Sequence, residues 1–369
     1  MPLPALVEPV EALSDAERAR TARHRSLVPL GELGQRRLRA AHVAVMGAGG
    51  LGSPVILALA AAGVGTLTVI DDDVVEATNL QRQIVHRRAD LGAPKTASAV
   101  RAASDLSPET RVIEVRERLH AGNAADLLAG ADLVIDGTDT IDTRQDVARA
   151  CEQLGVPLVW GVVQEFHAQV TVFWSAPPPG HAPVRLADLY PPGSAGELPT
   201  CAMVGVLGAL CMQVGALLAT EAVKLITGIG DPLLGRVLLI DGLSARQREV
   251  PLRGSGVTHP APAAPAAPPP ITVVGPSALG DTPVIDVRED HEVARGMIPG
   301  ALHIPLGELL ERLQGDHADI TGPVVVVCQT AVRSRRAAEA LRAAGVEAAI
   351  LAGGMEAWTA PTVAPAGAS

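Results

Sequence analysis

Four glycines, Gly47, Gly49, Gly50 and Gly52, fall between an apolar run, His42–Met46, and an Ala/Leu-rich stretch that continues to Ala62. A strand, a glycine turn and a helix in that order gather backbone N–H groups at a helix N-terminus, where small residues let phosphates approach. Asp71 follows the next apolar run, Thr66–Ile70, and an acid about two dozen residues beyond such a turn can bind ribose hydroxyls. Alone, these residues fit NAD, or a tight turn with no ligand. Arg82 and Lys95 follow and widen the chemistry. A dinucleotide needs neither cation, whereas a triphosphate losing pyrophosphate needs its charge neutralised. Asp139, in Asp136-Gly-Thr-Asp139 at the end of a further strand, offers a carboxylate suited to Mg²⁺ on the phosphates.

A second chemistry is carried by thiols. Cys328 closes the run Val324–Val327 and opens a loop, Cys-Gln-Thr-Ala-Val-Arg333, that leads into a helix. This predicts an exposed thiolate whose persulfide anion is stabilised by loop N–H groups and Arg333. Cys201 follows a Pro/Gly-rich loop and opens a long apolar stretch, and a helix N-terminus there would favour its thiolate. Its other reading is a small buried hydrophobe. Cys151 and Cys211 sit in apolar helical patterns and are read as core.

The elements that must position these groups alternate strand and helix, which predicts an α/β architecture with an at least partly parallel sheet. Strands are predicted at His42–Met46, Thr66–Ile70, Arg111–Val115, Asp132–Asp136, Pro157–Gly161, Ala168–Trp174 and Arg236–Asp241. Ser14 and Glu17 form a capping box before a short helix. The Pro/Ala-rich stretch 257–270 reads as a semi-rigid tether that could reach roughly 35–40 Å. The expected division is a first domain over 1–256, a linker over 257–275, a smaller α/β domain over 276–362 and a disordered tail over 363–369. Strands Val284–Val287 and Pro323–Val327 and a helix over Ser334–Ala344 are expected in the second domain.

Composition removes several alternatives. Thirty basic against forty acidic residues give a net charge of -10, which argues against a nucleic-acid binder. Four cysteines in 369 residues are no disulfide scaffold and suit a reducing, cytoplasmic setting. The N-terminus shows neither the basic start nor the apolar stretch of a signal peptide. Cys201–Thr220 has the length of a membrane span, but Gln213 interrupts it and Ala and Gly dominate it, so it reads as a buried helix.

From Arg20 to about Val250 the chain resembles the MoeB/ThiF-type adenylyltransferases, bacterial relatives of ubiquitin-activating enzymes. The matching pieces are Arg20-x-x-Arg23-His24, GAGGLGSP, DDDVVEATNLQRQ, GAPK, DGTDT with Arg144, and TCAMVGVLGAL with TEAVKLITG. The resemblance implies a Rossmann-like domain with a mixed sheet, in which ATP and Mg²⁺ activate the C-terminal Gly-Gly carboxylate of a ubiquitin-like carrier as an acyl adenylate. By motif position Gly50 approaches the α-phosphate, Asp71 takes the ribose, Asn79, Arg82 and Lys95 hold phosphates, and Asp139 serves the metal. Arg23 would reach the site of the other subunit of a homodimer, and Cys201 would accept the acyl group. Thr21 and Thr140 stand where the family usually has Tyr and Asn. Many members bind zinc through two CxxC pairs, and this chain has none, so no zinc is expected; His181 and His259 are read as surface residues.

Residues 281–360 resemble rhodanese-type sulfurtransferases through VIDVRED, GMIPGALHIP, CQTAVRS and LAGGMEAW, with Met297 and Ala331 where His and Gly are usual. Phosphatases on the same fold carry a loop one residue longer, so the spacing from Cys328 to Arg333 favours sulfur. Together the two resemblances imply a carboxylate activated as an adenylate and a Cys328 persulfide that attacks it, or attacks an acyl-Cys201. A second thiol would then release a protein thiocarboxylate for molybdopterin or another thiolated product. The sulfur donor would be a cysteine desulfurase or thiosulfate. Two other readings are weighed: an NAD-dependent oxidoreductase with an appended rhodanese, and a non-catalytic scaffold for a ubiquitin-like protein.

Overall fold

Alternation along the first strand determines how the first unit is layered. In β1 (His42–Met46), Val43 and Val45 enter one core, whereas Ala44 and Met46 enter another on the opposite face. A sheet apolar on both faces must be covered on both. The computed structural model describes residues 3–191, 205–254, 271–280, 282–314, 320, 322–329 and 332–363, in two compact units, Met1–Thr258 and His259–Ser369.

The first unit contains β2 (Thr66–Ile70), β3 (Arg111–Val115), β4 (Leu133–Asp136), β5 (Leu158–Gln164), β6 (His167–Phe173), β7 (Arg236–Asp241) and β8 (Arg246–Pro251). With β1 they form one sheet in the order β3-β2-β1-β4-β5-β6-β7-β8. β1 to β5 run parallel, and β5 to β8 pair antiparallel. The predicted mixed sheet is therefore present. β8 has no counterpart among the predicted strands because RQREVP is almost wholly exposed and lacks an apolar face.

Helices Gly52–Ala62 and Gly208–Thr227 pack together on one face. Their approach is close enough that a Cβ on Gly215 would strike the Pro54 ring and the Leu51 carbonyl. Helix Gly208–Thr227 has the length and apolarity of a membrane span, yet Leu210, Val214, Leu218, Ala222 and Leu225 are buried in the core of this unit. Its bounds correct the sequence reading. Gly205 takes φ +82° and Leu207 is extended, so the helix cannot begin at Cys201. It continues instead through the buried Glu221, which is paired with Lys224 and accepts the Leu233 N–H at 2.8 Å. The Ser14/Glu17 capping box forms as expected, at 3.2 and 2.8 Å.

The second unit holds β9 (Thr272–Val274), β10 (Val284–Asp286), β11 (Leu302–His303), β12 (Val324–Val327) and β13 (Ala348–Leu351), all parallel in the order β11-β10-β12-β13-β9. β9 falls in the stretch read as linker. Three residues after a proline run carry too little periodicity to show as a strand, and only pairing with β13 makes them one. Helix Val332–Ala343 begins two residues ahead of its predicted start. Towards the C-terminus Gly354–Ala357 forms a single 3₁₀ turn.

Candidate active sites

In the first unit β2 and β3 lie to one side of β1, and β4 and β5 to the other. A crevice opens at such a reversal, beyond the C-terminal strand ends. Here it is a cavity of about 320 Å³. Gly47, Gly49 and Gly50 line it, together with Asp71, Asn79, Arg82 and Lys95, and with Asp139 and Arg144 from the segment after β4. These residues thus converge on one space. Of the four glycines, Gly52 does not line it. It opens its helix, and a Cβ there would run into the Gly47 carbonyl, so its role is to close the turn rather than to admit a phosphate. At Gly50, by contrast, a Cβ would meet Cys211 Sγ at 3.3 Å and Arg82 at 3.5 Å, on the cavity side.

Two acids brace the walls. Asp71 Oδ2 accepts the Ala48 N–H at 2.7 Å and Oδ1 accepts the Asp73 N–H at 2.9 Å, tying β2 to the glycine turn. Burial raises its carboxyl above the ordinary range, and Lys95 partly offsets this. The turn is gripped from behind by His86, whose Nε2–H donates to the Ala48 carbonyl at 3.0 Å; burial lowers that imidazole, so it is neutral near pH 7. Asp136 is fully buried, and its Oδ1 accepts both the N–H and hydroxyl of Thr138, at 2.9 and 2.7 Å. Arg144 donates to the Thr138 carbonyl at 3.0 and 2.7 Å while lying 5.9 Å over the Trp160 ring. These contacts hold the turn that presents exposed Asp139.

The cations are placed differently. Lys95 is buried, with Nζ 2.8 Å from Asp73 Oδ2, at the start of helix Lys95–Leu106. Arg82 donates to the Thr78 carbonyl at 3.2 Å through one terminal nitrogen, which leaves the rest of the guanidinium to a ligand. Asn79 Oδ1 accepts the Glu76 N–H at 3.0 Å, which shapes the loop carrying Arg82. Among the described residues the carboxylates lying close together are Asp71, Asp72 and Asp73, within 4.8 Å of one another; Asp139 is not in that group. Arg23 is exposed on the short helix Ala22–Arg25 and does not line the cavity. Cys201 lies outside the described residues. Cys151 and Cys211 are buried, as expected, although Cys211 also borders the cavity. Gln83, Thr143 and the turn 117–119 line it too. Sequence reasoning gives them no role, because nothing in their own segments says that they face the cavity; the sheet order brings them there.

The second unit corrects two expectations. Cys328 is not exposed: it is 1% accessible, directly after the last residue of β12. The Ser334 N–H points at its Sγ from 3.3 Å and the Ser334 hydroxyl lies 3.6 Å away. Arg333 spends its terminal nitrogens on a carboxylate and meets the sulfur through its charge. Its two terminal nitrogens each donate to Glu292, at 2.6 Å, and that pairing raises its already high pKa. A bidentate carboxylate fork satisfies a guanidinium better than a polarisable sulfur can. The other motifs build the frame. Asp286 and Arg288 form a buried ion pair at 2.7 Å, and Arg288 also donates to the Gly296 carbonyl. Gly354, at φ +61°, sits where a Cβ would strike the Cys328 carbonyl, and the Met355 N–H donates to that carbonyl at 2.9 Å.

Residues 21–257 match the ThiF family and residues 276–361 the rhodanese-like domain. The chain belongs to the ThiF family and carries a rhodanese-like domain. It is 42% identical to the "Probable adenylyltransferase/sulfurtransferase MoeZ" of Mycobacterium tuberculosis, over 96% of each chain. It is 42% identical to the "Sulfur carrier protein adenylyltransferase" of Thermus thermophilus, over 62% of this chain and 86% of that one. The crystal structure of E. coli MccB shares the fold at 21% identity and a TM-score of 0.57, covering 68% of this chain and 74% of the other. Membership makes this ThiF–rhodanese chain an adenylyltransferase with an attached sulfurtransferase. The oxidoreductase and scaffold readings fall with it.

Proposed function

We propose that the chain adenylates the C-terminal Gly-Gly carboxylate of a ubiquitin-like sulfur carrier with ATP, then replaces the adenylate oxygen link with sulfur carried by Cys328. The observation that supports this best is the convergence of Arg82, Lys95 and Asp139 on the cavity floored by the glycine turn. Cationic donors there stabilise the charge that develops as pyrophosphate leaves. Gly50 leaves room for the α-phosphate, Asp71 accepts from the ribose, and Asn79 keeps the Arg82 loop in place. Asp139, exposed at the cavity, suits Mg²⁺, which binds through one or two carboxylates plus phosphate oxygens and neutralises their charge.

The Cys328 persulfide, loaded by a cysteine desulfurase or thiosulfate, attacks the adenylate carbonyl and expels AMP, giving an acyl disulfide. Cys201 is the candidate for accepting the acyl group before the persulfide attacks; a second thiol then cleaves the S–S bond of the acyl disulfide and releases the thiocarboxylate. The Pro/Ala-rich stretch 257–270 keeps the two chemistries at high effective concentration. The segment around His181 is expected to hold without zinc, and the backbone hydrogen bonds that Trp174 and Val184 exchange at 2.7 and 3.0 Å support that expectation. The working form is a cytoplasmic homodimer in which Arg23 acts on the partner's cavity. Leu27, Val28 and Leu33 stand exposed on the same N-terminal stretch, as an interface requires.

Intact-mass spectrometry of candidate carriers, incubated with the full chain, ATP and a sulfur donor, tests the proposal. One oxygen replaced by one sulfur is the expected change. Carriers that gain nothing, while ATP is still turned over, would refute the sulfur step. For the dimer, mixing Arg23→Ala with Lys95→Ala chains is expected to restore adenylation, since one hybrid cavity holds both residues. Zero activity despite subunit exchange would place Arg23 in its own chain's site or outside catalysis.

A further inference from the structure

Ser334 stands out because the reading of Cys328 and Arg333 leaves it unused. Its side chain is fully buried, its hydroxyl is turned onto Cys328 Sγ at 3.6 Å, and its N–H reaches the same atom at 3.3 Å. The neighbouring guanidinium is committed elsewhere, with both terminal nitrogens on Glu292. Ser334 lies in the first turn of the 12-residue helix Val332–Ala343, so its N–H is one of those left without an intrahelical acceptor. A buried hydroxyl keeps its rotor free to donate to an anion or accept from a thiol.

We propose that Ser334 is a catalytic residue of sulfur transfer, the hydrogen-bond donor that holds negative charge on Cys328 Sγ, and that Arg333, hydrogen-bonded to Glu292, fastens the end of the loop and meets the thiolate by its charge alone. The inference rests on Cys328 carrying the sulfur. In loading from thiosulfate, the Cys328 thiolate attacks the outer sulfur. A new S–S bond forms, the old one breaks, and sulfite departs with its electron pair. In discharge to cyanide, the nucleophile takes the terminal sulfur and the electron pair of the S–S bond returns to Sγ. Charge sits on Sγ before the first step and after the second, and in both cases Ser334 supplies two donors to that atom.

The test uses the full chain with thiosulfate and cyanide as probes. Ser334→Ala is expected to lower kcat for thiocyanate formation roughly tenfold to a hundredfold, with little change in KM for thiosulfate, the loss appropriate to a hydrogen bond to a charged group. Ser334→Thr, which retains the hydroxyl, is expected to restore most of it. Arg333→Lys and Glu292→Gln are expected to lose loop order, seen as faster proteolysis at the loop, and to cost less in kcat than Ser334→Ala. A folded Ser334→Ala with wild-type kcat, or a Thr variant as poor as Ala, would overturn the assignment. Ser334→Gly removes the same hydroxyl and decides the matter should the Ala variant not fold. Peptide-level mass spectrometry after thiosulfate treatment separates the two ideas. No persulfide on Cys328 of the wild type would defeat the underlying reading, whereas a labelled Cys328 with an indifferent Ser334 would defeat only this one.

Discussion

The two candidate sites solve opposite problems. The nucleotide cavity is open and assembled from the ends of several strands, and it keeps Arg82 and Asp139 for a ligand. The sulfur site centres on one buried atom at a strand end, with the neighbouring guanidinium already paired and the thiol 1% accessible. A large polyanion must be admitted and then neutralised, so its site needs volume and free charge. A single sulfur atom needs neither; it needs donors aimed at one point and exclusion of competing nucleophiles. A cation close to a reactive cysteine is therefore not by itself evidence that the cation serves the sulfur.

The sharpest way to break this contrast is to remove one chemistry and watch the other. Cys328→Ala is expected to abolish persulfide labelling altogether while pyrophosphate release with carrier and ATP continues. Loss of both in a folded protein would show that the sites are not separable. Next in size, Asp286→Ala leaves Arg288 charged and unpaired inside the second unit. It should cost about 3–5 kcal/mol of that unit's stability. Denaturant titration is expected to show the loss while ATP turnover at low denaturant persists.

Lys95→Ala and Asp139→Ala probe the open site. Each is expected to lower adenylation by on the order of 10²–10³-fold, the scale for losing one charge-stabilising group, and to leave thiosulfate:cyanide transfer unchanged. The smallest effects separate two nearby glycines. Gly52→Ala forces the Gly47 carbonyl aside and should cost about 1–3 kcal/mol of stability. Gly50→Ala meets only side chains at 3.3 Å or beyond, so it should fold normally and raise KM for ATP roughly tenfold, about 1.4 kcal/mol of lost approach. Reversed outcomes would exchange the roles given to them.

Much of the nucleotide site is legible in the sequence, because each of its residues follows a strand or turn whose pattern is local. His42–Met46, Thr66–Ile70, Arg111–Val115 and Arg236–Asp241 are strands with the limits expected from their residues. Charge type and order then single out Asp71, Arg82, Lys95 and Asp139. β8 and β9 are not legible, because one has no apolar face and the other is three residues long. The start of helix Gly208–Thr227 is misplaced by sequence reasoning because an Ala/Gly-rich run shows no periodic break, whereas the positive φ of Gly205 does.

What the sequence by itself determined is which groups are available and on which local element each one sits: glycines before a helix, acids after strands, a cysteine at the head of a six-residue loop. Those depend on spacing and on the backbone preferences of neighbouring residues. What only the tertiary structure decided is how those groups are shared out. Arg333 is 41 residues from Glu292, and local pattern gives no hint that they form a fork. Nor does it say that Ser334 rather than Arg333 faces the sulfur, or that Gly50 borders the cavity while Gly52 seals a turn. Partner choice across such distances depends on the order in which strands lie in the sheet, and that order is set by packing of the whole core rather than by any one segment.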